Sequence, residues 1–166
     1  FSQRVGILSF LSHSKTMGQG SSTVTSSTIN KYPDIQRKLR LNGRNNLRCQ
    51  FVTVDKHPEL IIFENSPEYD DDPVVVIDLV YRGEKDRHFR QNVVRVQGNT
   101  YGRFTNDARF SIGDKIQDIR KPMEDIVDWC IEYQEKNLEY SWSKKNCRTF
   151  MIALCKFISI TWPDQQ

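Results

Sequence analysis

Residues 74–81 read VVVIDLVY and decide the fold class, because they are the most strand-like run in the chain. A short apolar run rich in β-branched residues is typical of a buried strand. Further strand-like runs are found at residues 48–54, 59–64 and 89–97. Because these four runs are joined by short polar connections, they predict a small antiparallel sheet.

Two helices are expected after the strands. Pro122 suits the first turn of a helix that extends to about residue 133. Its apolar face consists of Met123, Ile126, Val127, Cys130 and Ile131. Asn146 is a favourable N-cap for a second helix, CRTFMIALCKFISI, at residues 147–160. The predicted fold class is therefore α+β, with a small antiparallel sheet packed against C-terminal helices.

The chain divides into three parts by composition. Residues 1–30 include the tract GQGSSTVTSST and are expected to be a flexible or non-native leader. Residues 31–47 suit a basic helix followed by a loop. Residues 48–162 form the predicted single α+β domain, and their length is enough for one core.

Positive charge is concentrated near the N-terminus. Residues 1–57 carry nine Lys or Arg against two Asp or Glu, whereas residues 58–83 carry one against seven. The candidate binding residues are Lys31, Arg37, Lys38, Arg40, Arg44 and Arg48. They could meet an anionic membrane or nucleic acid, or they could form a solvated basic arm. No apolar stretch reaches the ~20 residues of a membrane-spanning helix, so we expect a cytoplasmic protein, with peripheral membrane binding as an option.

A lipid anchor is one route to such binding. Residues 17–22, MGQGSS, fit the N-myristoylation pattern M-G-x-x-x-[ST]. Gly18 would carry the acyl group if Met17 were the initiator, and the basic residues would supply a second, electrostatic signal. A chance match to this short motif is the alternative.

The cysteines do not indicate a disulfide framework or a metal site. The chain has four cysteines: Cys49, Cys130, Cys147 and Cys155. They form no CxxC pair, and neither they nor the three histidines show the close spacing of zinc ligands. Reduced thiols are therefore expected, with no metal and no cofactor.

Cys147 differs from the other cysteines because it lies in the first turn of a predicted helix. The helix dipole, together with Lys144, Lys145 and Arg148, favours the thiolate form of this side chain. The other three cysteines lie in a strand or inside helices and suit packing roles. Cys147 is thus the candidate nucleophile, and a small residue at a helix start is the alternative interpretation.

A cysteine nucleophile needs a base. His57 is the best placed histidine, because it directly precedes a predicted core strand, and His88 is second. If residues 59–63 and 74–81 pair as a hairpin, His57 falls opposite residues 78–81. Asp78, a carboxylate within an apolar run, is then a candidate for orienting the base. The alternative is that Asp78 marks an exposed position on an edge strand.

These residues resemble the permuted papain-like superfamily. The resemblance lies in a strand-leading His57, several strands, and an Asn146-Cys147 dipeptide that opens a hydrophobic helix with Phe150 three residues after the cysteine. The superfamily includes the lecithin:retinol acyltransferase-like enzymes, the small phospholipase/acyltransferases and the picornaviral proteins with an H-box and an NC-box. The resemblance implies that Cys147 is the nucleophile and His57 its base.

Two positions depart from the superfamily pattern. Pro58 replaces the aromatic residue that follows the histidine, and Asp78 stands where a second histidine or polar residue is usual. The expected function is a thiol hydrolase or acyltransferase that acts through an acyl-enzyme on an ester, thioester or amide of a lipid or protein. The alternative is a catalytically silent domain of the same fold that binds protein, RNA or an acidic membrane.

Overall fold

The computed structural model describes residues 46–83 and 90–163. Several expectations concern residues outside these ranges: the leader, the basic helix, the lipidation motif with Gly18, and the basic residues Lys31, Arg37, Lys38, Arg40 and Arg44. His88 also lies outside the described residues.

The described residues form a mixed α+β fold. The elements in chain order are β1 (Leu47–Val54), β2 (His57–Phe63), β3 (Pro73–Gly83), β4 (Arg90–Thr100), α1 (Gly102–Thr105), β5 (Phe110–Ile119), α2 (Met123–Lys136) and α3 (Cys147–Ile158). The four predicted strands and the two predicted helices are confirmed. The fifth strand and the short helix α1 were not predicted.

The five strands form one antiparallel sheet in the order β4-β3-β2-β1-β5. Strands β2 and β3 pair with Leu60 opposite Ile77, as the hairpin hypothesis requires. Strand β3 lies between β2 and β4, so the interpretation of Asp78 as an exposed position on an edge strand is wrong. Its buried carboxylate therefore needs partners inside the fold.

Alternation along the strands gives the sheet two apolar faces. One face, with Leu60, Ile62 and Ile77, packs against α2 and α3. The core between them includes the buried Cys49 of the sheet and Cys130 and Cys155 of the helices. The opposite face forms a smaller cluster around Ile61, Phe63, Val76 and Phe104 of α1. The helices thus cover one side of the sheet, as expected for C-terminal helices with an apolar stripe.

A tight turn fixes the position of His57. Asp55 and Lys56 both have positive φ angles, 49° and 67°, and Val54 pairs directly with His57. Two residues with positive φ form the hairpin turn whose twist matches that of the flanking strands. His57 is therefore the first residue of β2, at the end of the sheet.

Two further expectations concern the basic residue Arg48 and a membrane-spanning helix. Arg48 belongs to β1 and is half-buried, and its Nη1 donates a hydrogen bond to Ser66 Oγ at 2.8 Å. It is thus part of the sheet. None of the helices in the described ranges combines the length and apolar character needed to cross a bilayer.

Candidate active site

Helix α3 begins at Cys147 because Asn146 caps it. The Asn146 side chain accepts a hydrogen bond from the Thr149 N–H at 3.0 Å, and the Thr149 hydroxyl accepts one from the Asn146 N–H at 2.9 Å. This reciprocal capping box fixes the helix start. The N–H groups of Cys147 and Arg148 make no hydrogen bond within the described residues. They remain as donors at the positive end of the helix.

Cys147 is half-buried, while the other three cysteines are buried. Burial raises the pKa of Cys49 and of Cys155 to about 12, and it raises the pKa of Cys130 as well. Those three thiols stay protonated near neutral pH and cannot act as thiolates. Among the four cysteines, only Cys147 combines surface access with a position at a helix start.

His57 interacts with both other candidate residues. Its Nε2 lies 2.9 Å from Asp78 Oδ2, and it also interacts electrostatically with Cys147, which helps to raise the pKa of the imidazole. Because Nε2 is engaged by Asp78, Nδ1 is the nitrogen left for Cys147. Burial lowers the pKa of His57, but the interactions with Asp78 and Cys147 outweigh it and raise the pKa to about 9. The imidazole is thus held in its charged form near neutral pH.

Asp78 is anchored by Arg95, its direct partner across strands β3 and β4. Arg95 Nε donates to Asp78 Oδ1 at 2.8 Å, and Arg95 Nη2 donates to Asp78 Oδ2. Burial alone would raise the pKa of Asp78, but the hydrogen bonds from His57 and Arg95 lower it overall. Asp78 therefore stays a carboxylate inside the sheet and holds the imidazole in a fixed orientation.

Glu59 is a further member of this cluster. It is only 2% exposed, and its Oε2 has no hydrogen-bond partner among the described residues. The ligand atoms of His57, Glu59 and Asp78 lie within 4.8 Å of one another, close enough to surround a metal ion. Arg95, however, already donates to both Asp78 oxygens and supplies the positive charge that a cation would bring. The cluster is better described as an ion-pair network.

Three aromatic rings lie on the loop before α3 and at the end of β3. Tyr140 is 4.9 Å from Tyr81 and 5.2 Å from Trp142, measured between ring centroids. Tyr81 and Trp142 are exposed. Asn146 Nδ2 donates to the Trp142 carbonyl, so this aromatic cluster is tied directly to the residue before Cys147.

Cys147, His57 and Asp78 were selected from the sequence, and the structure brings them together. Glu59 and Arg95 were missed. Glu59 had a signal, because a residue two positions after His57 faces the same side of a strand. Arg95 had none, because its role depends on the register between β3 and β4. No protein-family model matches the chain, and no curated protein or solved structure matches it either.

Proposed function

We propose that this protein is a cysteine-dependent hydrolase or acyltransferase with a permuted papain-like arrangement of its site. One observation carries the proposal: His57 bonds to the buried carboxylate of Asp78 at 2.9 Å and also interacts electrostatically with Cys147. A nucleophile, a base and a group that orients the base are the three parts of a covalent acyl-transfer site.

In the proposed first step, the fraction of His57 that is uncharged accepts the Cys147 proton, and the thiolate sulfur attacks the carbonyl carbon of the substrate. The carbonyl π pair moves to the oxygen. When the tetrahedral intermediate collapses, the bond to the leaving group breaks, and His57 returns the proton to the departing alcohol, thiol or amine. Cys147 then carries the acyl group as a thioester.

The start of α3 offers stabilisation for the negative oxygen of that intermediate. The N–H groups of Cys147 and Arg148 are free of hydrogen bonds within the described residues, and the helix dipole adds positive potential there. Preorganised donors at the developing charge are often the largest single contribution to such catalysis.

In the second step, water or another acceptor attacks the thioester. His57 takes the proton of the attacking group, the carbon–sulfur bond breaks, and the Cys147 thiolate leaves and regains a proton from His57. Water as acceptor gives hydrolysis, and an alcohol or amine gives acyl transfer. The aromatic cluster of Tyr81, Tyr140 and Trp142 supports a substrate with an apolar acyl part, on a lipid or a protein.

Alkylation by iodoacetamide, followed cysteine by cysteine with mass spectrometry, tests the proposal. Cys147 should label first at neutral pH, and it should label more slowly in a His57→Gln variant because no base remains to accept the thiol proton. The buried Cys130 is the internal control. If Cys147 labels no faster than Cys130, the site is not a thiol nucleophile.

Labelling of Cys147 no faster than that of Cys130 would favour a catalytically silent domain of the same fold. Binding of protein, RNA or an acidic membrane would then fall to the basic residues that precede the sheet.

A further inference from the structure

Glu59 has no explained role in the site as described so far. It lies two residues after His57 on the same face of β2, and it comes opposite Asp78 one step beyond the pair Leu60 and Ile77. Its carboxyl group is buried, and Oε2 has no hydrogen-bond partner in the part of the chain that the structure describes. A buried carboxylate without a hydrogen bond is costly, so a charged Glu59 would need a cation bonded to it.

The charged groups that face Glu59 come from four elements. They are His57 on β2, Asp78 on β3, Arg95 on β4 and Arg103 on α1. Arg95 is committed to Asp78 through two hydrogen bonds. Arg103 lies over the rings of Phe104 and Phe110, with its Cζ 5.4 Å and 5.6 Å from their centroids. No cation among the described residues forms an ion pair with Glu59.

We propose that Glu59 is a positioning residue that remains uncharged at neutral pH, so that it and the ionised Asp78 form a buried acid–carboxylate pair behind His57. Two close carboxyl groups avoid mutual repulsion in this way, because one of them keeps its proton. In this pair, Arg95 keeps Asp78 ionised, so the proton resides mainly on Glu59. Burial and the charge of Asp78 also raise the pKa of Glu59.

The consequence for chemistry rests on the proposed function. With Glu59 neutral, a single negative charge stands behind His57. A second charge would stabilise the imidazolium further and make its proton harder to transfer to a leaving group. The proton on Glu59 does not depend on whether Cys147 reacts.

Infrared spectroscopy tests the proton directly. Protein labelled with ¹³C in the glutamate carboxyl groups should show a protonated carboxylic acid band at pH 7, and a Glu59→Gln variant should lack it. Glu135→Gln, a change at an exposed helix position, should keep the band. Absence of the band in the wild type overturns the proposal, and this result needs no variant to fold.

The pH dependence of thermal unfolding gives a second readout. A pKa raised in the folded state means that folding binds a proton, so the wild type loses stability as pH rises from about 4 to 7. Glu59→Gln lacks this loss, and its Tm relative to the wild type should rise over that range. A constant difference in Tm would mean that Glu59 is ionised, and the proposal would fail. An unreactive Cys147 would overturn only the proposed function, because both measurements are independent of thiol chemistry.

Discussion

Asp78→Asn is the most informative single substitution, because Asp78 links His57 to Arg95 inside the sheet. The change keeps the shape of the side chain and removes its charge. In the wild type, Asp78 accepts hydrogen bonds from His57 and from Arg95. In the variant, burial of the imidazole and the nearby Arg95 guanidinium would both act against the charged form of His57.

The size of the effect follows from the pKa of His57. The folded protein raises this pKa from 6.5 to about 9, a difference equivalent to about 3 kcal/mol. Without the Asp78 charge, we expect the pKa of His57 to fall by about 2 pH units or more. Removal of one partner of a buried ion pair lowers the free energy of unfolding by about 3–5 kcal/mol. The Arg95 side chain is 32% exposed and can be partly rehydrated. We therefore expect Asp78→Asn to lower the free energy of unfolding by about 3 kcal/mol.

The sign of the pH dependence is also fixed. A raised histidine pKa stabilises the fold fully below about pH 6.5, and this contribution is lost as pH rises through about 9. The stability difference between the wild type and Asp78→Asn should therefore be larger at pH 6 than at pH 10.

Nuclear magnetic resonance titration of the His57 ring and urea unfolding at the two pH values measure these effects. Asp107→Asn is a matched control, because Asp107 forms an exposed pair with Arg109 and lies outside the site. It should change neither the pKa of His57 nor the pH dependence of the free energy of unfolding. A pKa of His57 that stays near 9 in Asp78→Asn would refute the assigned partnership.

Three further substitutions test local features of the fold. Asn146→Ala removes the capping box of α3 and should lower the free energy of unfolding by about 1 kcal/mol in urea titrations, and an unchanged value would contradict the cap. Leu154→Ala opens a cavity beneath α3 and should cost about 2–5 kcal/mol in the same assay, whereas a cost below about 1 kcal/mol would mean that this helix is not packed on the sheet. Gly102→Ala places a Cβ 2.7 Å from the Asp70 Cβ and should lower Tm, while an unchanged Tm would show that the loop yields freely.

The sequence predicted those elements that bury an apolar face. Strands β1 to β4 and helices α2 and α3 all carry such faces, and apolar periodicity is the main signal available from one sequence. Strand β5 was missed because it is an edge strand whose centre is Gly113, Asp114 and Lys115, all exposed. Of its residues, only Ile119 is buried, so the pattern of a buried strand is absent.

Residues of the candidate site could be selected from the sequence where local rules applied. The N-cap at Asn146 identified Cys147, and the start of a strand identified His57. The involvement of Asp78 followed from an unusual charge in an apolar run. Arg95 could not be selected, because the pairing of Asp78 with Arg95 depends on a register that no local pattern specifies.

Trapping of an acyl-enzyme tests whether Cys147 is the nucleophile and His57 its base. The protein would be mixed with an excess of a p-nitrophenyl ester of a short fatty acid, quenched in acid, and digested for mass spectrometry. We expect an acyl group on the peptide that contains Cys147 and none on Cys130. The adduct should be absent in Cys147→Ser and should form at least about 100-fold more slowly in His57→Gln. An unmodified Cys147, or an adduct that forms equally fast without His57, would contradict the proposed acyl-enzyme mechanism.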